Sequence, residues 1–193
     1  MEDKKEIRNT THEVIISDGE ESRKVEGYAM LFDVPSDGLS FEEVIERGAL
    51  DGVIEKSNVF ALLNHDERRG ILARSKSGTL SLSVDNKGLR YGFEAPKTAL
   101  GDELLEYIHR GEIRESSFAF TVDKEEWEKK SNGTWKRTIK SFERIFDVSP
   151  VYDAAYSKTS VYMRGKEEAE KKLEAFVKKE LEDYYKEFDN ILK

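Results

Sequence analysis

The chain has 193 residues, 40 acidic and 32 basic, for a formal net charge of −8, and 37% of its positions are charged against 37% hydrophobic. That is one domain's worth of chain, and 10 Phe, 8 Tyr and 2 Trp supply enough large apolar groups to exclude disorder of the whole. The acidic balance argues against a nucleic-acid binder, because phosphates are neutralised by clustered Lys and Arg, and the absence of cysteine excludes disulfide frameworks, Cys-rich zinc sites and a cysteine nucleophile.

No apolar run approaches the roughly 18 residues of a membrane span, and the start, Met1 to Glu6, is polar. Secretion and membrane insertion therefore lack support, and residues 1–12 read as a flexible arm. Val14-Ile15-Ile16 and Val25 to Phe32 read as a strand pair around the turn-like Ser17-Asp18-Gly19-Glu20. From Phe41 to Lys56 the apolar positions Phe41, Val44, Ile45, Ala49, Val53 and Ile54 suit one or two short helical pieces around Gly48. Val59 to Leu63 is a continuous apolar run, as in a buried strand, and it delivers Asn64-His65-Asp66 at its end.

Thr79 to Val84 and Leu89 to Ala95 alternate with period two around Asp85-Asn86-Lys87-Gly88, which predicts a hairpin. Thr98 to His109 puts Leu100, Leu104, Leu105 and Ile108 on one helical face and stops at Gly111. Ser117 to Val122, Trp135 to Phe142 and Ile145 to Ser149 return to strand character, the last ending at Pro150. The sum is an α+β fold: a mostly antiparallel β-barrel over 13–165 with a few flanking helices. Over 166–193 the apolar residues Leu173, Val177, Leu181, Tyr184, Phe188 and Ile191 recur at helical spacing in a heavily charged segment. This C-terminal amphipathic helix either docks on the barrel or pairs with another subunit or a scaffold.

Three histidines are present, His12, His65 and His109. No paired-histidine motif accompanies them, so no metal or other cofactor is expected. His109 falls in the last turn of a predicted helix, where an imidazole meets the helix dipole. His65 follows a buried strand in a short polar break, where rigid backbone would hold an accessible side chain. A hydroxyl becomes a useful nucleophile when an imidazole accepts its proton and a third group orients that imidazole. Ser117, at the start of a strand, has a suitable position, although a hydroxyl there also caps strands and turns. Asp147, between Phe146 and Val148, reads either as a buried orienting carboxylate or as a solvent-facing residue.

Taken in order, several segments resemble the prohead proteases of tailed bacteriophages, serine proteases of herpesvirus-assemblin-like fold. Gly27-Tyr28-Ala29 with Phe32 is similar to that family's opening strand, and Glu46-Arg47-Gly48-Ala49-Leu50 to its E-x-G-A-F segment. Leu63-Asn64-His65-Asp66 with Leu72-Ala73-Arg74 resembles H-D…L-G-R, and Asn86-Lys87-Gly88-Leu89 resembles the D-x-x-G-L hairpin. Gly111-Glu112-Ile113 with Ser116-Ser117-Phe118-Ala119-Phe120 resembles the nucleophile segment, and Phe146 to Val151 with Ala154-Ala155-Tyr156 the closing one. Ala119 and Ala73 stand where the family commonly has Gly, Asp153 stands in place of Pro, and Ser116 offers a rival hydroxyl.

The resemblance implies a serine endopeptidase with Ser117 as nucleophile, His65 as general base and Asp147 as orienting acid; a backbone N–H near the strand edge and Arg74 are the candidates to hold the oxyanion. It also implies partners and place: the major capsid protein and its scaffold segment as substrate, self-cleavage, a homodimer, and action inside the assembling procapsid in the host cytoplasm. Neither nucleic acid nor membrane is an expected partner. The alternatives are a catalytically inert assembly protein on the same barrel and a general serine peptidase.

Overall fold

The computed structural model describes residues 5–10, 14–17, 22–36 and 39–152, together with 171, 175 and 178. His12, the turn at 18–20, the segment 153–165 and most of the helix expected over 166–193 lie outside the described residues. The chain divides into two compact units, Met1–Ser157 and Lys158–Lys193. In the second, Lys171, Ala175 and Lys178 are helical and exposed.

The first unit is mostly strand. A longer sheet runs β1 (Glu6–Thr10), β9 (Glu115–Lys129), β10 (Trp135–Val151), β5 (Phe60–Ala61) and β6 (Ala73–Arg74), with β4 (Glu42–Ile45) pairing in parallel with the start of β10. A shorter sheet runs β2 (Ile15–Ser17), β3 (Lys24–Leu31), β8 (Gly88–Glu94) and β7 (Leu80–Val84). Both sheets supply one core: Val25, Ala29, Leu89, Tyr91 and Phe93 from the shorter, Phe118, Phe120, Ile139, Ile145 and Val148 from the longer. Phe118, Phe120 and Phe142 form an aromatic cluster, with ring centroids 4.7 Å apart for the first pair and 5.0 Å for Phe120 and Phe142. The α-helices described in this unit are α1 (Val53–Lys56) and α2 (Ala99–His109).

The hairpin of β7 and β8 and the helix α2 lie where the sequence pattern puts them. Thr98 caps α2, its Oγ1 accepting from the Gly101 amide, and Gly111 at φ +72 ends the segment. The closed barrel is corrected to two sheets, since no ladder joins them among the described residues. After β6 the chain turns through a 3₁₀ segment, Ser75–Ser77, into Gly78 at φ +74 before β7 begins, so this corner is crossed without strand pairing.

Two further expectations change. Residues 42–45 are a strand and not a helical piece. The strand was disguised because its alternate buried positions are Glu43 and Ile45, and a fully buried glutamate breaks the apolar alternation that marks a strand. Residues 6–10, expected within a flexible arm, are the strand β1, paired antiparallel with β9 from Glu6 opposite Phe120 to Thr10 opposite Ser116.

The reason is a buried ion network. Arg8 Nε and Nη2 donate to Glu43 at 2.6 and 2.8 Å, Arg137 Nη1 donates to Glu43 at 2.8 Å, and Glu6 accepts from both arginines. Burial alone would neutralise such groups; mutual pairing keeps them charged.

Candidate active site

The register of β9 and β10 builds the site. Ser149 lies opposite Ser117, and Asp147 opposite Ala119. Side chains alternate along each strand, so Ser117, Ala119, Asp147 and Ser149 share one face of the sheet. Ser116, Phe118 and Phe120 turn to the other face. There the Ser116 hydroxyl is buried against Tyr91 at 2.8 Å, which removes it as a rival to Ser117. A Cβ on Gly27 would come within 2.8 Å of the Tyr91 hydroxyl and 3.0 Å of Ser116 Oγ. Only glycine leaves room for this pair.

His65 reaches the site from β5, which runs parallel to β10. The Leu62 amide donates to the Val148 carbonyl at 3.2 Å and the Asn64 amide to the Pro150 carbonyl at 3.0 Å. The strand that carries Asp147 thus also anchors the turn that carries the imidazole. Asn64 and His65 both take left-handed backbone, φ +55 and +58. That conformation is unfavourable for non-glycine residues and persists where flanking hydrogen bonds determine it.

In this position His65 Nδ1 is 2.5 Å from Asp147 Oδ1, and Nε2 is 2.6 Å from Ser117 Oγ. Ser149 Oγ donates to Asp147 Oδ1 at 2.8 Å. Asp147 is 1% exposed. Its Oδ2 accepts no hydrogen bond among the described residues but faces Lys5 Nζ at an ion-pair distance of 3.2 Å. Burial pushes the Asp147 carboxyl up; the hydrogen bond and charge of His65, the charge of Lys5 and the Ser149 bond outweigh it and hold the group below its ordinary value.

An ionised Asp147 accepts the Nδ1 hydrogen and leaves the Nε2 lone pair towards Ser117, the arrangement that can remove a hydroxyl proton. A second acceptor competes for that proton. The Arg8 carbonyl of β1 lies 2.9 Å from Ser117 Oγ, and Ser117 itself is fully buried.

The structure therefore brings together three of the residues singled out in the sequence, Ser117, His65 and Asp147. His109 is exposed at the end of α2, away from them. Arg74 is engaged elsewhere: its Nε donates to Asn58 at 2.8 Å and its guanidinium lies over the Phe60 ring. Sequence reasoning missed Ser149, Lys5 and the Arg8 carbonyl. Ser149 was detectable in principle, since a residue two beyond Asp147 in a strand shares its face. Lys5 and Arg8 carried no such signal.

A family profile described as caudovirus prohead serine protease matches residues 10–174. Among solved structures, the bacteriophage T4 capsid assembly protease, gp21, has a similar fold. Its TM-score is 0.52 at 12% identity, and the match covers 78% of this chain and 98% of that one. The comparison with curated proteins finds no match.

Proposed function

This chain belongs to the caudovirus prohead serine protease family, and on that premise we propose that it is a serine endopeptidase of capsid maturation with Ser117 as nucleophile, His65 as general base and Asp147 as orienting acid. The observation that carries the assignment is the continuous line from Ser117 Oγ through His65 to Asp147, at 2.6 and 2.5 Å.

As Ser117 Oγ bonds to the scissile carbonyl carbon, its proton passes to His65 Nε2. Asp147, buried and ionised, stabilises the resulting imidazolium through Nδ1–H. The tetrahedral species collapses with cleavage of the carbon–nitrogen bond, and His65 returns the proton to the leaving amine. Water, deprotonated by the same imidazole, then hydrolyses the acyl-enzyme.

The substrate we assign is the scaffold segment of the major capsid protein, together with the chain itself, cut within the assembling procapsid by a homodimer. A capsid assembly protease among the structural relatives supports this reading. A second reading, an inert assembly protein on the same fold, draws on the complete burial of Ser117.

Co-expression with the capsid protein separates the two. Wild type truncates the coat protein, while Ser117→Ala and His65→Ala leave it whole. Truncation by all three sinks the catalytic assignment. A fluorophosphonate, which phosphonylates an activated serine with loss of fluoride, marks Ser117 in the wild type alone.

A further inference from the structure

We propose that β1 is the resident occupant of a peptide-docking edge on β9, and that an extended substrate segment reaches Ser117 by taking its place. The inference rests on Ser117 as the nucleophile.

Four observations carry it. First, Ser117 is 0% exposed and the His65 side chain only 13%, so a nucleophile in this position is sealed from any substrate. Second, β1 is a five-residue strand at the edge of the sheet, paired among the described residues with β9 alone, and its ladder includes Asn9 opposite Ser117. Antiparallel addition to a sheet edge is a general way of holding an extended peptide.

Third, β1 and the residue before it touch both ends of the Ser–His–Asp line: the Arg8 carbonyl accepts from Ser117 Oγ at 2.9 Å, and Lys5 Nζ sits 3.2 Å from Asp147 Oδ2. A hydroxyl proton directed to the Arg8 oxygen is not directed to His65. The contact is a hydrogen bond from Ser117 Oγ to the carbonyl oxygen, and it holds the strand against the nucleophile.

Fourth, the buried Glu43 keeps a counter-charge when the latch opens, and Asp147, losing Lys5, keeps His65 and Ser149. Glu6 and Arg8 leave together with opposite signs. Arg137 remains on Glu43 at 2.8 Å and on Glu125 at 2.7 Å. The cradle keeps its net charge, and the buried glutamate keeps one arginine.

The absence of cysteine makes a clean test. In Ile7→Cys/Ala119→Cys the two thiols lie on directly opposed residues of the β1–β9 ladder, at a cross-strand spacing that a disulfide can bridge. Fluorophosphonate labelling of Ser117 is followed in the oxidised and reduced forms of this one protein. Oxidation is expected to slow labelling roughly tenfold or more, because only the fraction with β1 displaced reacts, and reduction to restore it.

Equal labelling of the two forms overturns the inference and leaves the nucleophile assignment standing. No labelling at Ser117 in either the wild type or Lys5→Ala/Arg8→Ala overturns that assignment, and the inference with it. If the reduced variant is inert while the wild type reacts, Lys5→Ala/Arg8→Ala decides. It removes two of the side-chain anchors of this segment, the Lys5–Asp147 and Arg8–Glu43 pairs, and is expected to label several-fold faster than wild type; an unchanged or slower rate overturns the inference.

Discussion

Asp147→Asn keeps the shape of the buried side chain and removes its charge, and the neighbours determine how the amide must sit. In the native carboxylate, Oδ1 accepts from His65 Nδ1 at 2.5 Å and from Ser149 Oγ at 2.8 Å, while Oδ2 faces Lys5 Nζ at 3.2 Å. An amide has one acceptor oxygen for these two sides. With its oxygen towards His65, its NH₂ donors face the Lys5 ammonium at a buried position, donor against donor. Flipped, the oxygen meets Lys5 and an N–H points at His65 Nδ1, which must then be the bare nitrogen. The hydrogen moves to Nε2, and the imidazole loses the lone pair that would take the Ser117 proton. Lys5 thus favours the unproductive tautomer. The expected loss in Ser117 labelling rate is about 10³- to 10⁴-fold, or roughly 4–5.5 kcal/mol at 1.36 kcal/mol per tenfold. The assay is the second-order rate of fluorophosphonate labelling, with the site located by mass spectrometry. Adding Lys5→Ala removes the reason to flip, so Lys5→Ala/Asp147→Asn should recover about tenfold of the loss. A rate for Asp147→Asn within about tenfold of wild type, or no recovery in the double variant, refutes the reasoning.

Ser149→Ala deletes one hydrogen bond to the same carboxylate but leaves the His65 bond in place, so labelling should fall by about tenfold, the rate equivalent of roughly 1.5 kcal/mol; a loss as deep as that of Asp147→Asn would contradict a supporting role. Glu43→Gln leaves Arg8 and Arg137 without their shared buried counter-charge and should lower unfolding stability by about 3 kcal/mol in urea titration. Burial pushes the Glu43 carboxyl up, but Arg8 and Arg137 outweigh it, and Asp147 is likewise held low. Both contribute stability that is complete above the ordinary carboxylate value near pH ~4 and is lost as pH falls through their lower folded values. Unfolding free energy measured from about pH 5 downward should therefore decline in wild type and decline less in Glu43→Gln; parallel profiles would refute this. Gly27→Ala should destabilise by about 1–3 kcal/mol because its Cβ meets Tyr91 and Ser116, with part of that recovered when Tyr91→Phe removes the nearer oxygen.

The parts of the molecule that were legible in the sequence are those whose signal is local. The β7–β8 hairpin follows from alternation and an Asp85–Gly88 turn, and α2 follows from a face of Leu100, Leu104, Leu105 and Ile108 and a stop at Gly111. His65 stood out because a buried apolar run ends in a polar break. The placement of Ser117 and Asp147 beside it depends on a register between strands whose facing residues are separated by about thirty positions, which periodicity cannot supply; family resemblance selected them, and the register brings them onto one face. The expected barrel failed for a related reason. Alternation predicts strands, but whether two edges meet depends on corners such as Ser75–Gly78, where a 3₁₀ turn intervenes.

The least legible element was β1, and the cause is physical. Lys5, Glu6, Arg8 and Asn9 are polar, and a polar stretch without apolar periodicity reads as solvated chain. Arg8 is nevertheless buried, because Glu43 meets it from 35 positions away and Arg137 closes the group through Glu6 across 131. Glu43 hides in the same way, which is why the apolar pattern around β4 suits a helical piece. Each misreading conceals the other's partner: an isolated buried charge is prohibitive, whereas a paired one is not, and composition counts charges without showing which ones meet. The residues that made this segment look detached are the ones that fasten it over Ser117. Their attachment is made of exchangeable ion pairs and a short edge ladder, and not of core packing alone, which is the kind of contact a competing peptide strand can replace.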